Sequence, residues 1–545
     1  MTKSFIKSAI IVLVSLVACT DLDLKPKGSS TTDVLLTDPE SYRQFLAKLY
    51  AGLTTTGQYG PAAPADRPDL RDIRTGDEGF SQYMRGLWNM ETMSTDEAVT
   101  LWGDTGLKDY HAHSWTSQSP FITQFYYRIY YQIALANEFI NEITEAKLNE
   151  RGLSSFKETA DSYRAEARFL RALSYWHALN YFRNVPFADE NSPNGANPPQ
   201  ATPQETFDFI ESELKAIETA LPEPGDNEYG RVDRAAAWMV LAKLYLNAEV
   251  YLGAGGARYT DCITYCKKIT DAGVFQLEAE YQHLFLTDNN ATTEIIFGVP
   301  HDGLKIQSYG GVTMIINGAC GGTLANQTSG GRNTIIGNNA NWAGHRTTKG
   351  IVNLFADETG ATDTRAIFWT DGQNKEINDI NAFGDGYIVT KFRNVDRDGT
   401  PGQDPVFTDT DYPLFRLGDV YLMIAEAFLR DGTGVSQAEA VDFINLLRER
   451  AYPNYPAEGQ IDANDLDLNF ILDERGRELY WEGHRRTDMV RFNVFTDNPT
   501  NNPRGIWPWK GNVKDGVATQ SFRNIFPIPS SDIIANTSLK QKDKY

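Results

Sequence analysis

The chain is poor in several residue types that would announce a common function. It has 4 cysteines among 545 residues, too few for a disulfide framework. Cys262 and Cys266 stand four apart on a helical pattern, but no further Cys or His at matching spacing completes a zinc set. They and Cys320 are expected to be buried thiols. The 7 histidines are scattered, and the one close pair, His111 and His113, lacks partners for a metal, so a plain loop is expected there. Basic charge is also short: 51 Lys+Arg against 72 Asp+Glu give a net charge of −21. With no basic run, a nucleic-acid groove is excluded. Mean hydropathy of −0.41 excludes a polytopic membrane protein. No G-x-S-x-G elbow, H-E-x-x-H, P-loop or G-x-G-x-x-G leading into a helix is present. Chance pairs among so many acids leave a glycosidase open.

Aromatics are plentiful, with 28 Phe, 26 Tyr and 10 Trp, enough apolar area for a large folded body. At the N-terminus, Lys3 and Lys7 precede an apolar stretch, Ile10 to Val17, of secretory-signal length and too short to span a bilayer. It ends Leu16-Val17-Ala18-Cys19, which resembles a bacterial lipobox. Residues 1–18 are therefore expected to be a lipoprotein signal peptide, with Cys19 carrying the lipid that anchors the chain to the bilayer. Residues 19–36 read as a tether, and Asp21 and Asp23 resemble the surface-export signal of Bacteroidetes lipoproteins.

The periodicity predicts a mainly α protein. Capping-box patterns begin at Thr37, Thr202 and Ser436, the first two with Pro in the opening turn. Helical patterns cover 37–52, 121–147, 157–182, 203–220, 233–251, 259–272, 414–430, 436–451 and 466–484. Successive helix pairs with short loops indicate a helix-turn-helix stack of tetratricopeptide type. The expected divisions are a helical scaffold over 37–274 with irregular loops at 75–118, a loop-rich, partly β insertion over 275–412, a helical part over 413–494 and an extended closing segment over 495–545. The insertion carries strand patterns at 294–299 and 387–389, many Gly and Asn, and no helical period, as a binding surface on a scaffold would. Asp473, Glu474, Glu478 and Glu482 alternate with Arg475, Arg477, Arg485 and Arg486, the pattern of a salt-bridged helix face. Asn394 to Gly399 copies the first half of an EF-hand loop, but its twelfth position is Pro405. A solvated turn is the default, with an irregular calcium loop on Asp396, Asp398 and Asp404 as the alternative.

Several stretches are similar to one family. They are Arg164 to Ala172 through Asn184-Val185-Pro186-Phe187, Gly230-Arg231-Val232-Asp233-Arg234 through Leu246, and Pro413 to Leu417 through Ala427. The run Glu474-Arg475 through Leu479-Tyr480-Trp481-Glu482-Gly483-His484-Arg485-Arg486 and the closing Phe526-Pro527-Ile528-Pro529 complete the set. On these, the chain resembles the SusD/RagB family of outer-membrane nutrient-binding lipoproteins. The resemblance implies helix pairs of tetratricopeptide type, no catalytic activity and no required cofactor. It further implies a chain facing the exterior, docked over a SusC-type TonB-dependent transporter and handing it glycans or other nutrients.

The loops resemble those of the family's starch-binding founder, where aromatic rings follow the curve of an α-glucan. The resemblance transfers ligand contacts to Asp77, Arg85 and Trp102, to Tyr309, and to Trp342. Thr105 stands where that protein has Asn, and Asp104 beside it is the substitute for the lost hydrogen bond. The chemistry is independent of the family: a sugar ring has an apolar C–H face for an indole or phenol and a hydroxyl rim for polar groups. The first expectation is thus a non-catalytic binder of starch or malto-oligosaccharides. The competitors are a binder of another glycan or of peptides, and a lipid-anchored glycoside hydrolase.

Overall fold

The computed structural model describes residues 32–61, 67–74, 79–193, 195–497 and 501–545. The signal peptide, Cys19 and most of the tether lie outside the described residues. The chain is mainly helical, as its periodicity predicts. Its longer helices are α1 (Pro39–Ala51), α2 (Tyr83–Glu91), α3 (Pro120–Glu142), α4 (Lys157–Phe182), α5 (Pro203–Ile217), α6 (Arg234–Leu246), α7 (Tyr259–Asp271), α8 (Gly311–Ala319), α9 (Leu417–Leu429), α10 (Gln437–Ala451), α11 (Leu468–Leu479) and α12 (Arg485–Arg491). Neighbours in this order pack on one another: α3 on α4, α4 on α5, α6 on α7, then α7 on α9 and α9 on α10 and α11. The stripe Phe169, Ala172, Leu173, Trp176 and Leu179 of α4 is buried. Its second stripe makes ion pairs across to α5, Arg168 and Arg171 meeting Glu213 at 2.6 and 2.7 Å.

Local chemistry sets the helix ends. Thr202 and Ser436 form the expected capping boxes with Glu205 and Glu439. The first box is displaced by one residue: Asp38 is the cap, accepting from Ser41 N at 2.9 Å while Ser41 Oγ accepts from Asp38 N. That puts Pro39 at the first helical position, where its missing donor is no loss. The helix expected over 233–251 breaks after Leu246, because the Asn247 amide turns back to Lys243 O at 2.9 Å. Residues 414–416, expected to be helical, belong instead to a strand.

Short antiparallel ladders knit distant segments together: β1 (Val99–Thr100), β2 (Ile295–Val299), β3 (His345–Arg346) and β4 (Tyr412–Arg416). β2 pairs with β4, and β1 with β3. The central region is therefore sewn into the scaffold, and one apolar core runs from Leu36 to Leu539. Cys262, Cys266 and Cys320 are free and buried in it.

The acid–arginine pattern near 474–486 does form ion pairs, but not on a solvated face. Glu474, Glu478 and Glu482 are fully buried. Arg416 from β4 meets Glu294, Glu478 and Glu482 at 2.9, 2.7 and 2.7 Å. Arg365 meets Asp363, Glu474 and Glu478 at 2.8, 2.8 and 3.1 Å. Arg450 pairs with both Glu294 and Glu478, and Lys391 with Glu482. Burial alone would raise the Glu478 carboxyl, but Arg450, Arg416 and Arg365 outweigh it and hold the group well below the usual carboxylate range. This network locks Glu294, Arg365 and Lys391 of the loop-rich region, with Arg416 of β4, onto α10, α11 and the residues just after α11.

Candidate functional site

Three loops far apart in sequence meet on one side of this frame. Trp102 lies two residues past β1, and Trp342 three residues before β3. The register Val99↔Arg346 and Thr100↔His345 therefore brings the two indoles together. Tyr309 lies immediately before α8, whose other end holds the Trp342 segment: Trp342 N donates to Asn317 O at 3.1 Å and Gly344 N to Gly318 O at 2.7 Å. The result is a run of three half-buried rings. Tyr309 and Trp342 have centroids 6.1 Å apart at 52°, and Trp342 and Trp102 are 6.3 Å apart at 54°. Trp102 Nε1 also donates to Trp342 O at 2.9 Å, fixing one platform against the other.

Close packing beneath the rings demands glycine. A Cβ on Gly344 would lie 2.2 Å from the Trp102 indole, and one on Gly318 would lie 3.1 Å from it. Under Trp102 is His345, its ring 4.3 Å away, with Trp88 5.0 Å away from the same imidazole. Burial first, then Arg85 and Arg346, lower the His345 imidazole to about 3, so the platform rests on a neutral ring. Arg346 beside it is buried and donates to Gly344 O, Ile380 O and Asp385 O at 3.3, 2.7 and 2.8 Å. Phe407 backs Tyr309 at 5.2 Å. The sequence reading did not single out His345, Arg346 or Phe407. Their roles depend on contacts with residues outside their own segments, over 240 positions away for His345, 98 for Phe407 and up to 39 for Arg346, and no local pattern signals them.

The remaining expected residues divide. Asp104 and Thr105 are exposed beside Trp102. Arg85 on α2 is buried, with its guanidinium 4.5 Å from the Phe80 ring and 5.4 Å from Phe121. Asp77 lies outside the described residues. The calcium candidates are not brought together. Asp396 Oδ1 accepts from Asp398 N and Thr400 N at 3.0 and 2.7 Å, and Asp404 Oδ1 from Val406 N and Phe407 N at 2.8 and 2.9 Å. Among the described residues, no group of three or more His, Cys, Asp or Glu is placed to hold a metal ion.

The fold is thus a helical stack that carries a ledge of loop-borne rings on one side. The SusD family profile matches residues 332–545, and a profile described as "Starch-binding associating with outer membrane" matches residues 78–246. The chain is 32% identical to the starch-binding protein SusD of Bacteroides thetaiotaomicron, over 100% of this chain and 99% of that one. It is 25% identical to a SusD-like protein of Bacteroides ovatus, over 93% and 86%. The chain belongs to the SusD family.

Solved structures similar in fold include a SusD-like carbohydrate-binding protein of Bacteroides fragilis, with TM-score 0.69 and 18% identity over 92% of this chain and 99% of that one. Surface glycan-binding protein A of Bacteroides uniformis has TM-score 0.67 and 19% identity over the same shares. Among the described residues, no helix is long and apolar enough to cross a membrane.

Proposed function

We propose that the protein binds starch or malto-oligosaccharides at the Tyr309–Trp342–Trp102 ledge, without catalysis, and passes them to a SusC-type TonB-dependent transporter. The observation that carries this reading is the continuous run of three half-buried rings, tilted in turn and rigidly seated. A curved α-glucan offers a series of C–H faces to such a ledge, and the exposed Asp104 and Thr105 stand where hydroxyl rims would pass. The similarity to the Bacteroides thetaiotaomicron starch-binding protein over the full chain supports starch over another glycan. In this reading the lipid on Cys19 anchors the chain to the outer membrane, facing outward.

Three stacking contacts of about 1 kcal/mol each, with two or three exposed hydrogen bonds, sum to roughly −4 to −6 kcal/mol. That is a Kd between about millimolar and tens of micromolar, and weak capture suits a protein that must release its cargo. Replacing Trp102, Tyr309 and Trp342 together by Ala should abolish retardation in starch-containing native gels. Unchanged migration would sink the assignment. Incubation with maltoheptaose separates binding from catalysis, since release of new reducing ends by the pure protein would make it a hydrolase. Calcium is not required by this reading, and calorimetric titration with Ca²⁺ tests that directly.

A further inference from the structure

The ledge does not stop at Trp102. The backbone that seats this indole is a strip of small residues in which 318–321 runs beside 343–344, joined by Gly344 N to Gly318 O at 2.7 Å and Ala343 N to Cys320 O at 2.8 Å. Trp102 covers one end, over Gly318 and Gly344. Phe383, half-buried, covers the other: a Cβ on Gly321 would lie 2.4 Å from its ring and 2.9 Å from the Ala343 Cβ. Only glycine at 321 lets the phenyl ring lie this close to the strip.

The segment carrying Phe383 is held firmly. Arg346, 5.8 Å from the Phe383 centroid, ties Ile380 O and Asp385 O to Gly344 O through its guanidinium. Asp385 accepts from Asn378 N and Asp379 N, both at 2.8 Å. On the outer side, Lys108 Nζ, six residues beyond Trp102, donates to Asn381 Oδ1 at 2.8 Å. Two loops that each carry a ring are thus latched together at an exposed polar rim. An aromatic face, a rigid seat and polar groups at the edge are what a sugar ring needs.

We propose that Phe383 is a further sugar-stacking platform, with Asn381 and Lys108 at its rim, that extends the site past Trp102 and favours longer glycan chains. This rests on the glycan reading above. The test is titration calorimetry with maltotriose and maltoheptaose on the wild-type protein and on Phe383→Ala, Phe383→Trp and Trp102→Ala.

Phe383→Ala should weaken maltoheptaose binding about fivefold and leave maltotriose within about twofold, while Phe383→Trp should keep the wild-type preference for length. Trp102→Ala should weaken both ligands. An unchanged ratio of long-chain to short-chain affinity in Phe383→Ala, including equal weakening of both, would overturn the proposal while leaving the main ledge standing. A wild-type protein silent toward both sugars would instead refute the starch reading, and this platform with it.

Discussion

Trp102 should matter more than its share of ring area, because it works twice. Its indole is one of three platforms, and its Nε1–H holds the carbonyl of a second, Trp342, at 2.9 Å. Trp102→Ala removes a stacking contact of about 1 kcal/mol and a neutral hydrogen bond of about 1 kcal/mol that fixes the next ring. If both reach the ligand, the loss is about 2 kcal/mol, or about 30-fold in Kd. Trp102→Phe keeps a stacking face but deletes the donor, so about fivefold should be lost. Tyr309→Ala deletes one ring alone and should also cost about fivefold. The assay is titration calorimetry with maltoheptaose, with thermal melts confirming that each variant is folded. A silent Trp102→Phe would show that the indole N–H does no positioning. An Ala variant no weaker than Tyr309→Ala would refute the double role altogether.

Two further outcomes concern the buried charges. Glu478→Gln leaves Arg365, Arg416 and Arg450 short of a shared carboxylate in a dry site, and should cost about 3–5 kcal/mol of stability in urea denaturation. Asp69→Asn, at an ion pair with Arg67 that is exposed on both sides, should leave the midpoint where it was; equal effects would deny the role of burial. In acid, the Glu426 carboxyl matters: burial would raise it, but Arg491 and Arg430 pull it down from 4.5 to about 2. A depressed carboxyl stabilises the fold above its unfolded value and loses that contribution as pH falls. Asp411, raised by burial from 3.8 to about 6, contributes in the opposite sense between those values. The urea midpoint should therefore rise slightly from pH 7 to about 5, as Asp411 takes up its proton, and fall between about pH 4.5 and 2, and a midpoint that rose on acidification below pH 4 would contradict this sign.

How far the sequence could be read depended on whether the deciding contact was local. The helix at 157–182 matches its pattern residue for residue, because a continuous apolar stripe has one periodicity to satisfy. The end of β4 reads as helix because its apolar residues run without a break into Leu417–Leu429, and a short buried strand has no period of its own. α8 has no helical signature for a related reason: all nine residues of Gly311–Ala319 are buried, so no polar face marks a turn, and flanking glycines imitate a loop. Alternation of Glu and Arg near 474–486 announced ion pairs but not burial, since Arg365, Lys391, Arg416 and Arg450 arrive from other segments. At the site, the kinds of ring were legible from their loops. The neutral His345 seat and the Arg346 brace were not, for neither carries a local signature.

Trp102, Tyr309 and Trp342 also give the site a history. The matched segments 78–246 and 332–545 hold Trp102 and Trp342 separately, and Tyr309 lies in neither. Neither segment alone can assemble the ledge. On the proposed reading, sugar binding requires a slow class of contact, the pairing of residues 240 positions apart. In a refolding chain, capacity for starch should return with the last long-range pairing, well after the helices have formed.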